Sequence, residues 1–248
     1  MKKKGQHFLV DRAALERIAQ YAELCKEDRV LEIGAGTGNL TEVLAERSSC
    51  VYAVEIDPQL AIGLQGKFQS FKNVRVIRGD ALEIELPDYN KIVSNLPYQI
   101  SSKITYHLLS RPFELSVLMY QQEFAKRLVA PIGSREYGRL AMVAGFFSEA
   151  KILEILPRSA FRPAPEVNSA IVRLLPRSVR PDVKPEIFLR LVEGLFSHRR
   201  KKVKKALAAL GVSKERLTEI DAKMLDKRPE ELTPDQAAEL AIATHLFH

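Results

Sequence analysis

Tryptophan is absent from this 248-residue chain, cysteine occurs only twice, and no apolar run is long enough to cross a membrane. The missing tryptophan excludes nothing by itself. Cys25 and Cys50 have no metal-type spacing, so both are expected to stay reduced and no metal site is expected. The N-terminal MKKKGQHFLV is basic, but its apolar part is too short for a secretory signal. These absences predict a cytoplasmic protein with no membrane partner. Internal repeats and low-complexity segments are missing too.

Acid is missing from one stretch in particular. His198-Arg199-Arg200-Lys201-Lys202-Val203-Lys204-Lys205 holds six Arg or Lys and no Asp or Glu. The net charge is +7, and setting those six aside leaves 7 − 6 = +1. The excess is local, as a docking face for a polyanion would be. A solvated face or a localisation signal would carry such a run as well. Here the run adjoins an amphipathic stripe, Val203, Ala206, Leu207 and Leu210, which favours contact with an RNA backbone through Arg199, Arg200, Lys201, Lys202, Lys204 and Lys205.

What is present is organised around Lys91 to Ser102, KIVSNLPYQISS. Ile92 and Val93 are β-branched, as a buried strand requires. Pro97 cannot donate to a ladder, so the strand stops at Asn95-Leu96-Pro97-Tyr98. Ser101 and Ser102 are predicted N-caps of a helix from about Lys103. Asn95 offers a side-chain carbonyl, and Leu96, held extended before proline, can turn its own carbonyl outward. Two acceptors suit the two hydrogens of an exocyclic amine, and Tyr98 gives a face on which a base can stack. The group these fit is the N6 amine of a flipped adenine. The segment resembles the [DNS]-[LIP]-P-[YF] signature of amino-methyltransferases. Taken alone, a polar turn with a core tyrosine would explain it equally well.

The upstream chain adds a nucleoside site. Arg29 to Ala35 reads as a strand, followed at once by Gly34-Ala35-Gly36-Thr37-Gly38 and a helix. Cys50 to Val54 is a second strand, ending at Glu55, a carboxylate placed to accept from two ribose hydroxyls. Val74 to Ile77 is a third, followed by Gly79-Asp80-Ala81, where Asp80 suits an adenine amine. A dinucleotide fingerprint would place a third glycine three after Gly36, but Asn39 stands there. S-adenosyl-L-methionine, which has no pyrophosphate, is therefore the better ligand.

Together these motifs resemble the KsgA-type family of small-subunit ribosomal RNA adenine-N6,N6-dimethyltransferases. Gly5-Gln6-His7-Phe8-Leu9, Val30 to Gly38, Val54-Glu55-Ile56-Asp57, Gly79-Asp80-Ala81, Asn95-Leu96-Pro97-Tyr98 and Phe161 to Ser169 stand in the family's order. The resemblance implies a Rossmann-like α/β methyltransferase domain with a small α-helical C-terminal domain. It implies dimethylation of two adjacent adenosines near the 3′ end of small-subunit rRNA. It also implies that Gln6, His7 and Leu9 close over a cofactor held by Gly34, Gly36, Glu55, Ile56, Asp80, Ala81 and Asn95. Phe161 would cover the target adenine opposite Tyr98; a core phenylalanine in a proline-rich crossover is the other reading. Residues 118–125 look closer to archaeal and eukaryotic members.

The remaining chain completes the expected layout. Glu114 to Met119, Ile152 to Leu156 and Ala170 to Leu174 read as strands, the last two pairing to close the sheet. The stretch Pro176 to Pro185 contains three prolines and reads as a linker. The domains are then 1–176, a linker 177–184, and a helical RNA-binding domain 185–248, in a chain expected to be monomeric. Two other functions stay open: a large-subunit rRNA methyltransferase of the antibiotic-resistance type, and a largely non-catalytic assembly or transcription factor.

Overall fold

Runs of Val, Ile and Leu bounded by glycine, proline or acid form the strands of this chain, in a computed structural model that describes residues 6–245. Lys2, Lys3, Lys4 and Gly5 fall outside the described residues. The strands are β1 (Phe8–Leu9), β2 (Arg29–Ile33), β3 (Cys50–Glu55), β4 (Val74–Arg78), β5 (Lys91–Asn95), β6 (Leu115–Gln121), β7 (Ser148–Leu156), β8 (Phe161–Arg162) and β9 (Ser169–Pro176). Seven of them form one sheet in the order β4-β3-β2-β5-β6-β9-β7, while β1 and β8 make a separate antiparallel pair. β2 runs parallel to both β3 and β5, and β3–β4 and β5–β6 are parallel as well. β9 enters antiparallel to β6.

This order decides where a ligand can sit. The chain runs outward from β2 through β3 to β4, then returns to β5 on the other side of β2. The carboxyl ends of β2 and β5 flank that reversal, where the connecting loops diverge and open a crevice. Buried side chains such as Val30, Val51, Val93 and Val117 fill the sheet, with Leu15, Ile18, Val43 and Leu44 from the flanking helices.

Two helices before β6 start at an aspartate cap, while a third does not start where its serines suggest. Asp11 caps helix Arg12–Tyr21, its carboxylate accepting from Ala14 N at 3.1 Å. Asp57 caps helix Pro58–Lys67 through Gln59 N at 2.9 Å. Ser101 and Ser102 do not cap the next helix. A 3-10 turn, Tyr98–Ile100, runs straight into helix Ser101–Leu109, so both serines lie inside it. Strand β2 also stops at Ile33 rather than Ala35, because Gly34 turns the chain at φ +72°. β7 and β9 are neighbours as expected, but β7 begins at Ser148, four residues before Ile152.

The chain forms two compact units. One takes the chain up to Ala125 together with Ala150–Pro176; the other takes Lys126–Glu149 together with the chain from Arg177 onward. The second is helical, including Arg139–Phe147, Pro185–Ser197, Val203–Ala209 and Pro234–Thr244. Its core centres on Phe146 stacked on Phe188, with Leu191, Leu195, Val203 and Leu207 buried. Arg177 closes it with a two-point ion pair to Asp235, at 2.7 and 3.0 Å.

Candidate active site

A cavity of about 340 Å³ opens at the carboxyl edge of the sheet, within the first unit. Its floor is the loop after β2. Gly34, Gly36 and Gly38 there all have positive φ, which residues with a Cβ rarely adopt. All three also face close neighbours, Gly38 those of Phe68 and Leu64. A Cβ on Gly34 would lie 3.1 Å from the Pro97 ring, and one on Gly36 only 2.8 Å from the Phe8 ring. The glycine loop is thus packed between Asn95-Leu96-Pro97-Tyr98 and the N-terminal segment.

The acids stand at strand ends. Glu55 is buried, and its two oxygens accept from Gly36 N and Asp57 N, each at 2.9 Å. Those bonds fix the carboxylate beside the glycine loop and leave its other lone pairs toward the cavity it lines. Asp80 is fixed by Leu82 N at 2.9 Å. Glu32, 2 % exposed, also lines the cavity and accepts from the Thr41 hydroxyl at 2.6 Å. Burial, with Glu55 adding to it against the Thr41 bond, pushes the Glu32 carboxyl up to about 8.

The Asn-Leu-Pro-Tyr segment forms the opposite wall. Asn95 Nδ2 donates one of its hydrogens to the His7 carbonyl at 3.2 Å, which orients the amide and leaves its oxygen for a ligand. The Tyr98 hydroxyl bonds Ser169 Oγ at 2.6 Å, and burial raises its pKa. The His7 ring stacks on Tyr98 with centroids 5.9 Å apart, and its Nδ1 lies 2.9 Å from the Pro163 carbonyl.

The cavity brings together Gln6, His7, Leu9, Gly34, Gly36, Glu55, Ile56, Asp80, Ala81, Asn95, Leu96, Pro97 and Tyr98. Phe161 is not among them. It is 0 % exposed, in the core beside Leu9, Leu15 and Ala160. Its backbone pairs with Leu9, and its ring is fully buried in the apolar cluster that holds Leu9, where so large an apolar group gains most from burial. The aromatic side chain that does meet Tyr98 is His7. Asn39 was visible in the sequence only as a missing glycine. Its amide donates to the Leu9 carbonyl at 2.8 Å and ties the N-terminal segment to the helix after the loop. Gln99, Ile100 and Leu60 also line the cavity without a signal in the sequence beyond adjacency to the motifs.

The basic run begins after helix Pro185–Ser197 and continues into Val203–Ala209. Arg199 pairs with Glu230 and Lys202 with Asp226. Arg200, Lys201, Lys204 and Lys205 are exposed and make no ion pair among the described residues, while Val203, Ala206 and Leu207 are buried.

Comparison with known proteins agrees with this geometry. A protein of Methanosarcina mazei named "Probable ribosomal RNA small subunit methyltransferase A" is 46% identical over 95% of this chain and 90% of its own length. One of the same name from Pyrococcus furiosus is 42% identical over 96% and 89%. Among solved structures, a dimethyladenosine transferase from Plasmodium falciparum superposes with a TM-score of 0.82 at 27% identity, covering 94% of this chain and 95% of that one. The 23S rRNA methyltransferase ErmE gives 0.69 at 30% identity, over 96% and 99%. The family described as ribosomal RNA adenine dimethylase matches residues 1–242, and this chain belongs to it.

Proposed function

We propose that this chain dimethylates the N6 amines of two adjacent adenosines, in a loop near the 3′ end of small-subunit rRNA, during ribosome biogenesis. The observation that carries the reading is the convergence of Glu55, Asp80 and Asn95-Leu96-Pro97-Tyr98 on one cavity, in a chain of this family. The cavity fits S-adenosyl-L-methionine: its volume lies in the range of small-molecule sites, and a glycine loop separates acids suited to a ribose and an adenine. When bound, that cofactor supplies a methyl group already activated by its sulfonium. Glu55 accepts from the ribose hydroxyls and Asp80 from the adenine amine. Gly34, Gly36, Ile56 and Ala81 wall the nucleoside, and Gln6, His7 and Leu9 close over it.

The difficulty lies with the nucleophile, since the N6 lone pair is delocalised into the purine. Asn95 Oδ1 and the Leu96 carbonyl accept its two hydrogens and favour a pyramidal nitrogen. Tyr98 fixes the ring, with Pro97 holding the turn. The rate comes from alignment and from dipoles facing the positive charge that develops on nitrogen. No strong base is required, because the amine's acidity rises on methyl transfer and its proton then leaves to water. The target must leave its stack, which costs least in a loop.

The unit that runs to Ala125 and resumes at Ala150–Pro176 performs this chemistry, and the helical unit of Lys126–Glu149 and the chain from Arg177 onward holds RNA through Arg199, Arg200, Lys201, Lys202, Lys204 and Lys205. The protein acts as a monomer in the cytoplasm. The similarity to ErmE favours one rival, an enzyme acting on large-subunit rRNA. Mass spectrometry of undermethylated small- and large-subunit RNA particles, after incubation with isotopically labelled S-adenosyl-L-methionine, separates them. Labelled dimethyladenosine at two adjacent positions near the small-subunit 3′ end is expected. Label in large-subunit RNA alone would transfer the assignment. No label in either, with a competent substrate and cofactor binding established, would favour an assembly factor.

A further inference from the structure

Tyr98 opens a three-residue 3-10 turn and depends on other elements for its orientation. Ser169 does not. It is fully buried as the first residue of β9, opposite Gln121 of β6, and the preceding carbonyl, that of Asn168, accepts from Gln122 N at 2.9 Å. The 2.6 Å bond between Ser169 Oγ and the Tyr98 hydroxyl therefore ties this short turn to the sheet. The reaction as proposed above needs only the flat face of Tyr98; it does not explain why the far end of the ring is anchored.

We propose that Ser169 is a positioning residue whose hydroxyl holds the Tyr98 ring in place for the second methyl transfer. This rests on the reading of Asn95-Leu96-Pro97-Tyr98 as the site of the target amine. An unmodified amine offers two hydrogens, one each to Asn95 Oδ1 and the Leu96 carbonyl. A monomethylated amine offers one, so an anchor is lost. The orientation of the base then relies more heavily on its stack with Tyr98. The second transfer forms another carbon–nitrogen bond at N6, breaks the sulfur–methyl bond of a fresh cofactor to leave a thioether, and releases the last N6 proton to solvent. Any slack in the Tyr98 ring therefore penalises the second transfer more than the first, and monomethylated base is released instead. Removing the Ser169 hydroxyl creates that slack, because the half-buried phenol must then turn to find another partner.

The test uses the full-length protein on undermethylated small-subunit particles. The ratio of dimethyl- to monomethyladenosine is read by mass spectrometry at equal total methyl incorporation. Ser169→Ala is expected to lower the ratio roughly five- to tenfold. Tyr98→Phe, which keeps the stacking face and removes the same bond, should lower it equally. The double variant should fall no further than either single one, since both remove one interaction. An unchanged ratio in Tyr98→Phe would overturn the proposal, even if Ser169→Ala failed to fold. So would equal slowing of both transfers in Ser169→Ala, or effects that multiply in the double variant. If the wild type itself made no dimethyladenosine, the reading of the site would fall and this inference with it. A wild type that dimethylates beside a Ser169→Ala variant with an unaltered ratio would sink the inference alone.

Discussion

At the scale of single residues, Asn95 and Glu32 make the sharpest demands. The Asn95 amide nitrogen donates to the His7 carbonyl, which orients the amide oxygen, the one group of this side chain able to accept from an amine. Asn95→Ala is expected to cut methyl transfer by at least about 100-fold while the far-ultraviolet circular dichroism stays that of the wild type; near-normal turnover would refute the two-acceptor arrangement. Glu32 makes a prediction about stability. Its carboxyl, ordinarily at 4.5, titrates near 8 in the folded chain because burial penalises the charged form. Between those values the folded state binds a proton that the unfolded state has lost, so stability falls as pH rises through that window. The slope is at most about 1.4 kcal/mol per pH unit. Glu32→Gln stays neutral throughout, so its stability relative to wild type should improve between pH 5.5 and pH 8 in urea unfolding. An equal difference at both pH values would mean that Glu32 is charged in the fold.

At the scale of elements, the two-residue strand β1 is too short to be held by its own ladder. It is held from four sides: by β8, by the Asn39 amide on Leu9, by the Asn95 amide on His7, and by the Phe8 ring against Gly36. Gly36→Ala should disturb this most directly, since the new methyl group meets the Phe8 ring and the backbone sits at φ +58°. S-adenosyl-L-methionine affinity by calorimetry is expected to fall about tenfold or more, with faster proteolytic cleavage near Phe8. Wild-type affinity would mean that the segment plays no part in closing the site. The elements around the cavity were legible because each is a local pattern: a β-branched run, then glycine, acid or proline. Glu55, Asp80 and Asn95 could be placed at one edge from such patterns alone. What was illegible depends on tertiary partners. Nothing near Phe161 in sequence says that Leu9 will pair with it and draw the ring into the core. Nothing near Asn39 says that its amide will find Leu9. Ser101 and Ser102 looked like caps because the 3-10 turn before them leaves no sequence mark.

At the scale of the whole molecule, the proline-rich stretch after Pro176 suggested one break in the chain, yet residues 126–149 group with the C-terminal helices. Helix Arg139–Phe147 supplies Phe146 to the stack on Phe188, a contact between residues 42 positions apart that no local pattern announces. Charge, by contrast, was legible from composition, and it carries the last prediction. Of the six basic residues in the run, Arg199 and Lys202 are engaged by Glu230 and Asp226, which leaves Arg200, Lys201, Lys204 and Lys205 for a polyanion. Helix Val203–Ala209 buries Val203, Ala206 and Leu207, so these four can be neutralised without touching the core. Replacing all four by Gln is expected to leave S-adenosyl-L-methionine affinity and thermal stability close to wild type. RNA affinity should fall, and the slope of log affinity against log salt should drop by up to about 3 to 4, because each phosphate contact releases close to one counterion. Replacing Arg199 and Lys202 instead should cost stability more than it changes that slope. If the fourfold variant keeps the wild-type salt slope, the run is a solvated face and the RNA is held by other residues. If the slope drops as expected while methylation of saturating substrate continues, binding of the RNA and chemistry on its base are separate duties of one chain.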